Sequence, residues 1–397
     1  MHTLSFTGER QLRYPAPDVA RGFMLALIAL ANVPFWLSYF PETPQAGHAA
    51  LEAMNGTDQW WYLVRTLFVD RRAYPLFSLL FGFGMAIMAS RTMERERRAI
   101  EQNVPAEVVA GWHPVQRQIV EESIERHVRR TASRLIRRRG WWMLAFGLLH
   151  GIVFSGDIIG AYGLVAVIFA EVIVMRRAWA RILAGSLVAV LSMSGLWMGG
   201  AMMGREPMVL EYHGPMPLNA WYPLVSFGSW IVATPATVLT ALVVPCVMIG
   251  VGVARWGLLQ DPRGRGALLS GIAACGLGIG VLGGLPFALM QLDWAFVGSA
   301  AWSYPIFHAS GVAGACGWLA LLALVGGGPR ENLGTVCAFL SAIGRRSMTA
   351  YLSQTVIFIL IFSVLGACGV RSLGVAVSGL IALGVWALIG LGCVIAE

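Results

Sequence analysis

The sequence predicts an all-α, polytopic membrane protein of about ten transmembrane helices with both termini cytoplasmic. Three observations predict it. Hydrophobic residues make up 57% of the 397-residue chain and charged residues only 13%, about half the charged share of an ordinary soluble domain. Ten stretches stay apolar over roughly the 20 residues that a bilayer-crossing helix needs. The basic residues then fall almost wholly on one side of the alternating spans.

In chain order the expected spans are 22–40, 73–90, 141–154, 158–175, 182–203, 229–254, 267–290, 304–327, 347–365 and 372–395. The third and fourth are the shortest and read equally as one hairpin around "FSGDIIG". With the N-terminus inside, the cytoplasmic segments hold Arg10, Arg13, Arg21, twelve arginines from Arg91 to Arg139, Arg176, Arg177, Arg181, Arg255, Arg263, Arg265, Arg330, Arg345 and Arg346. The outer segments keep Arg65, Arg71, Arg72, Arg205 and Arg371. This 24-to-5 division is the positive-inside pattern. The organisation expected is a cytoplasmic segment 1–21, helices over 22–90, a basic cytoplasmic insertion 91–139 and the remaining spans in 140–397. Arg21 leads directly into the first span with no small-residue cleavage pattern, so no cleavable signal peptide is expected. The location predicted is a cell membrane, multi-pass, of the bacterial inner-membrane kind.

Composition removes several chemistries. The chain contains no lysine, and all 29 basic side chains are arginine, which excludes Schiff-base, pyridoxal-phosphate and P-loop chemistry. Cys246, Cys275, Cys316, Cys337, Cys368 and Cys393 stand singly in apolar stretches, without metal-site spacing, and read as small core residues. The net charge of +8 reflects topology and attraction to anionic lipid rather than nucleic-acid binding. The lipid bilayer and a small-molecule substrate are the partners expected; oligomeric state is not legible.

Within the insertion, Val120, Ile124, Val128 and Leu135 form a rough stripe among arginines and glutamates. It reads as an amphipathic helix lying on the inner leaflet, or as a partner or acyl-donor site. Gly276, Gly280 and Gly284 in the seventh span, and Gly195 and Gly199 in the fifth, recur at the interval that lets helix backbones approach. "GIGVLGG" lies inside an apolar span with no strand before it and is not a dinucleotide fingerprint. No internal repeat is visible.

Polar residues at membrane depth carry the functional information, since each ionisable one costs about 2.5–3.5 kcal/mol to insert. Asn32 stands eleven positions after Arg21 in the first span and reads as an interhelical hydrogen-bonder. Asp70, Arg71 and Arg72 mark the outer entrance of the second span. Glu171 sits low in the fourth span near Arg176 and Arg177, and His308 reads as a packing histidine. Tyr351 and Gln354 lie one turn apart in the ninth span. His150 and Asp157 are seven positions apart across a Ser–Gly turn. A carboxylate there would fix the histidine tautomer and raise its basicity for proton transfer; alternatively His150 only hydrogen-bonds a neighbouring helix and Asp157 only caps the following one.

Four segments together resemble a known family. "DVARGFMLALIALANV", "PLFSLLFGFG", "FGLLHGIVFSGDIIGAYGLV" and "IGRRSMTAYLSQTVIF" are similar, in the same order, to landmarks of the YeiB-like bacterial membrane proteins, defined by domain of unknown function 418. The resemblance runs from about residue 18 to 395. In helical layout that family is distantly similar to membrane acyltransferases, which move an acyl group from a cytoplasmic thioester to an acceptor. The type 3 acyltransferases carry an arginine followed eleven positions later by a histidine; here Arg21 keeps its place and Asn32 replaces the histidine. An amide is no general base, so either the base has moved to His150 or the scaffold is no longer an acyltransferase. Family members usually continue past the last span with a Gly-Pro-Leu-Glu-Trp-like tail. This sequence ends at Glu397 without one, as a truncated or divergent member would.

The function that follows is acyltransferase-like, acting on an envelope or secreted small molecule. His150 is the expected base, positioned by Asp157. Arg71 or Arg72 would bind an anionic part of a ligand, with Asn32, Tyr351 and Gln354 also facing substrate. Arg21 or Arg345 would bind a phosphate of an acyl-CoA donor; no covalently bound cofactor is expected. The competing class is a transporter or exporter of a small anionic solute, with His150 and Asp157 as its proton relay. A structural or sensory membrane protein without turnover is a third class.

Overall fold

The computed structural model describes residues 14–37, 40, 42–43, 47–103, 112–203, 221–260, 262–295, 298–328 and 332–396. The regular elements among them are all helices. Arg10, Arg13, Arg205 and Arg330 lie outside the described residues. Eight helical segments there are long and apolar enough to cross a membrane. The third and fourth expected spans are not among the eight, and both are built differently from expectation.

Helix α1 (Ala16–Trp36) is the central post, buried along nearly its whole length. Its sequence is apolar on every face, the pattern of a helix enclosed by others. Pro17 sits in the first turn, where a missing N–H costs nothing, and Asp18 there complements the helix dipole. Next come the short α2 (Gly47–Glu52) and α3 (Gly56–Phe68). Asn55 caps α3 by accepting from Asp58 N at 2.9 Å. Asp58 in turn accepts from Ala376 N at 2.8 Å.

α4 (Ala73–Gln102) and α5 (Pro114–Val153) run well beyond their apolar parts. At 1.5 Å per residue, α5 is about 60 Å long, twice the hydrocarbon thickness of a bilayer. The charged stripe is therefore not a separate helix lying on the leaflet. No proline or glycine interrupts residues 115–139, so the helix continues without a break into the third span. Val128, Ala132 and Ile136 are its buried edge. Arg97 of α4 reaches Glu121 at 2.7 Å and Glu125 at 3.3 Å on α5. The hydrogen bond to Glu121 pushes the Arg97 guanidinium above its ordinary pKa.

The expected fourth span is broken at Phe169 into α6 (Ile159–Ile168) and α7 (Ala170–Val174). Glu171 there accepts from Ser133 at 2.6 Å and pairs with Arg137 at 3.3 Å, rather than with Arg176 or Arg177. α8 (Ala178–Met203) follows. The expected sixth span is two helices, α9 (Tyr222–Thr240) and α10 (Val243–Arg255), divided at Leu242, whose φ is +55°. Pro245 supplies the reason: it would clash inside a continuous helix but fits the first turn of a new one. α10 is buried against α4, with a Cβ at Gly82 or Gly250 prevented by the backbone of Val247 or Leu79.

α11 (Gly266–Gln291) and α12 (Ala300–Gly326) form the tightest pair. The stripe of Gly276 and Gly280 meets Gly317 and Gly314 of α12, while Gly284 leaves room for the Arg72 guanidinium. Gly195 and Gly199 make no comparable approach; Gly200 does, against Ala300. The chain ends with α13 (Thr335–Arg345), α14 (Ser347–Ala367) and α15 (Val375–Ile395). α13 lies in backbone contact with α1 at Gly22 and Gly344. Exposed Leu187, Leu191, Leu282, Leu360 and Leu388 give the bundle an apolar outer surface, which requires contact with lipid. Cys246, Cys337 and Cys393 are buried, but Cys275 and Cys368 lie on that outer surface rather than in the core.

Candidate functional site

α5 ends at Val153, and the turn Phe154–Ile158 brings the chain back as α6. Gly140 and Gly147 of α5 face Gly163 and Gly160 of α6 with no room for a Cβ. That close crossing sets His150, near the end of α5, beside Asp157, just before α6. His150 Nδ1 and Asp157 Oδ1 are 2.8 Å apart, and both side chains are buried.

Asp157 does two jobs at once. It accepts from Ile159 N at 3.2 Å and Gly160 N at 2.9 Å, capping α6, and from Trp230 Nε1 of α9 at 3.3 Å. The contact with His150 and the helix cap are thus made by one carboxylate together. An ionised carboxylate only accepts, so in the neutral imidazole this hydrogen bond places the ring proton on Nδ1 and the lone pair on Nε2. Nε2 lies 2.9 Å from Thr355 Oγ1 on α14. The ring is flanked by Tyr351 at 5.1 Å and Phe154 at 5.6 Å between centroids.

Two cavities approach this cluster from opposite ends of the bundle. One, of about 350 Å³, is lined by Asn32, Arg65, Asp70, Arg71, Tyr74 and Tyr351 among others. The second, of about 480 Å³, is lined by Arg21, Arg139 and Arg345, with Asp18 beside them. Phe77 and Tyr351 line both. The turn carrying Asp157 is likewise shared: Gly156 and Ile158 face the first cavity and Ile159 the second. His150, Asp157 and Thr355 themselves line neither cavity; the turn that carries Asp157 borders both.

The expected site residues divide on this geometry. Arg21 and Arg345 come together in the second cavity, where Arg21 Nη1 pairs with Asp18 at 3.0 Å and Arg345 Nη1 donates to Ser341 Oγ at 3.1 Å. Asn32 lies three turns along α1 on the same face and lines the first cavity; it has no interhelical hydrogen bond among the described residues. Arg71 lines that cavity too, with its guanidinium 6.0 Å from the Tyr304 ring and its backbone in the left-handed region at φ +59°. Arg72 lies outside both. Its guanidinium donates to Thr66 O at 2.8 Å, to Asp70 O at 2.6 Å and to Gly280 O. Gln354 donates to Leu25 O at 3.0 Å, fastening α14 to α1. His308 is not hydrogen-bonded: both ring nitrogens are buried without a partner among the described residues, against the Tyr304 ring at 4.4 Å.

Arg65, Thr66, Tyr74, Arg139 and Thr355 were not anticipated from the sequence. Arg65 binds Asp70 at 3.0 Å. Thr66 Oγ1 and Tyr74 Oη are buried beside the first cavity without a hydrogen-bond partner among the described residues. Thr355 follows Tyr351 by one helical turn, the spacing that puts both on one face; that offset was the available signal.

The segment α11–α15 supplies Arg345, Tyr351, Gln354 and Thr355, and it is this C-terminal part of the chain that resembles a known family. Residues 253–395 match the family model described as Protein of unknown function (DUF418). This is the family to which the sequence segments point. His150 and Asp157 lie before the DUF418 match, so the cluster joins side chains from inside and outside it. No curated protein and no solved structure matches the chain.

Proposed function

We propose that this protein is an acyl-transfer enzyme of a bacterial inner membrane, with its arginine-rich end in the cytoplasm. One observation carries the reading: a buried histidine–carboxylate pair lies on a turn whose residues border two cavities of different chemistry. Arg21, Arg139 and Arg345 give the second cavity the donors that a phosphorylated thioester such as acyl-CoA requires. Its apolar lining, with Met24, Leu80, Phe81 and the exposed Phe146, suits an acyl chain. The first cavity offers Arg65, Arg71 and the hydroxyls of Thr66 and Tyr74 to a small, anionic, hydroxyl- or amine-bearing acceptor. His150 supplies the general base, with Asp157 holding its ring. The acyl carbon leaves the thiol sulfur and joins the acceptor; the acceptor's proton passes through the imidazole to the departing thiolate. Asn32, which cannot take a proton, leaves His150 as the base at this depth.

The second reading is transport. Two cavities reaching from opposite ends to a partition of Phe77 and Tyr351 are also what alternating access needs. Purified protein in nanodiscs, given acyl-CoA and an acceptor extract, tests the proposal through release of free CoA thiol. Release that His150→Gln abolishes supports acyl transfer. No release, together with solute flux in proteoliposomes, overturns it in favour of transport.

A further inference from the structure

A hydroxyl in a membrane helix ordinarily bonds back to the carbonyl one turn earlier. Thr92 donates to Met88 O at 2.9 Å, Ser78 to Tyr74 O at 2.8 Å and Thr240 to Ala236 O at 2.9 Å. Thr355 departs from this habit. Its hydroxyl has His150 Nε2, at 2.9 Å, as its hydrogen-bond partner, and it lies on a different helix, 205 positions away. The far nitrogen of that ring is bound to Asp157 at 2.8 Å. In the neutral ring with its proton on Nδ1, Nε2 can only accept, and the Thr355 O–H is then the donor. A hydroxyl, an imidazole and a carboxylate joined in that order are what activates an alcohol as a nucleophile.

We infer that Thr355 is the nucleophile of this site and carries the acyl group as a covalent ester, an inference that rests on the acyl-transfer reading and deepens it. Thr355 Oγ1 attacks the thioester carbonyl while its proton moves to His150 Nε2. The carbon–sulfur bond breaks, the thiolate takes the proton from His150, and free thiol departs. The acceptor's hydroxyl or amine then attacks the ester, again losing its proton to Nε2, and the proton returns to Thr355 as the ester opens. Asp157 holds the ring throughout and gains no proton. Because the two half-reactions share only the Thr355 ester, donor and acceptor need never occupy the site together, which accords with two cavities divided by a wall. Tyr351, one turn before Thr355 and lining both cavities, is the side chain that must swing aside to admit the acyl carbonyl. Trp230, bonded to Asp157 at 3.3 Å, covers the far side of the carboxylate.

The test uses the full chain in nanodiscs and a lipid-soluble alkyl fluorophosphonate, which phosphonylates an activated hydroxyl and releases fluoride without needing the natural donor. Peptide mass spectrometry should find the adduct on Thr355. Thr355→Ser should retain labelling, Thr355→Val should lose it, and His150→Gln should slow it by roughly a hundredfold or more, the range of general-base assistance. No adduct at Thr355 in the unaltered protein, or one forming as fast in His150→Gln, overturns the inference. The outcomes separate the two proposals. Thioester turnover that persists in Thr355→Val removes the covalent ester and leaves acyl transfer standing. Labelled Thr355 without thioester turnover keeps the activated hydroxyl and removes the acyl-CoA donor.

Discussion

Replacing Arg72 with methionine should destabilise the fold, although it is the neighbouring Arg71 that lines the first cavity. Arg72 is 1% exposed, and its guanidinium donates to the carbonyls of Thr66, Asp70 and Gly280. Thr66 lies in the last turn of α3, where carbonyls lack helical partners, and Asp70 lies in the turn that follows. Gly280 is inside α11 and keeps its helical bond. The substitution therefore orphans two buried carbonyls, at about 1.5–3 kcal/mol each for a charge-assisted bond. Part of that is offset, because a buried guanidinium carries a desolvation penalty and Nε has no partner among the described residues. A methionine also keeps contact with the Phe307 ring, which the guanidinium faces at 5.1 Å. The net loss should be about 2–4 kcal/mol, a large share of the roughly 5–15 kcal/mol that holds an ordinary domain folded. Unfolding by SDS titration in mixed micelles measures it. Arg72→Lys should recover only part, since an ammonium cannot reproduce the planar fork. An Arg72→Met protein within about 0.5 kcal/mol of wild type, the scatter of surface substitutions, would refute the reasoning.

Three further predictions follow from the same geometry. Asn32→Ala should leave stability within about 0.5 kcal/mol, because the amide lines a cavity instead of joining helices, and should alter acceptor use in a turnover assay. Arg21→Gln or Arg345→Gln should raise KM for an acyl-CoA donor about tenfold or more with little change in kcat, the signature of lost uniform binding. Maleimide labelling of Arg117→Cys, over the background of the native cysteines, should require permeabilised cells, whereas Trp221→Cys should label on intact ones. The reverse pattern would invert the orientation.

The polytopic all-α class was legible because apolar length leaves a strong mark on sequence. The contact between His150 and Asp157 was legible for a local reason: seven positions across a Ser–Gly turn allow few arrangements. Distances between remote segments were not. Thr355 lies 205 positions from His150, and no periodicity reports which helices are neighbours. Arg71 and Arg72 were indistinguishable as letters; the left-handed backbone at Arg71 turns one guanidinium toward the cavity side and the next into the α11–α12 seam. The break at Leu242 was readable in principle from Pro245, but 229–254 is so evenly apolar that hydropathy joined the two helices. The α4–α5 hairpin escaped because a charged amphipathic stripe looks the same whether it covers lipid or another helix.

The most direct test of the central claim is a cryo-electron microscopy structure in nanodiscs with a non-hydrolysable acyl-CoA thioether. Acyl transfer between the two cavities predicts density entering past Arg21 and Arg345, with the carbon that stands for the thioester carbonyl about 3–4 Å from Thr355 Oγ1 and close to His150 Nε2, a near-attack distance. An analogue that binds elsewhere, or that fills the arginine-lined cavity but ends well short of His150 with Tyr351 still closed across its path, would contradict it.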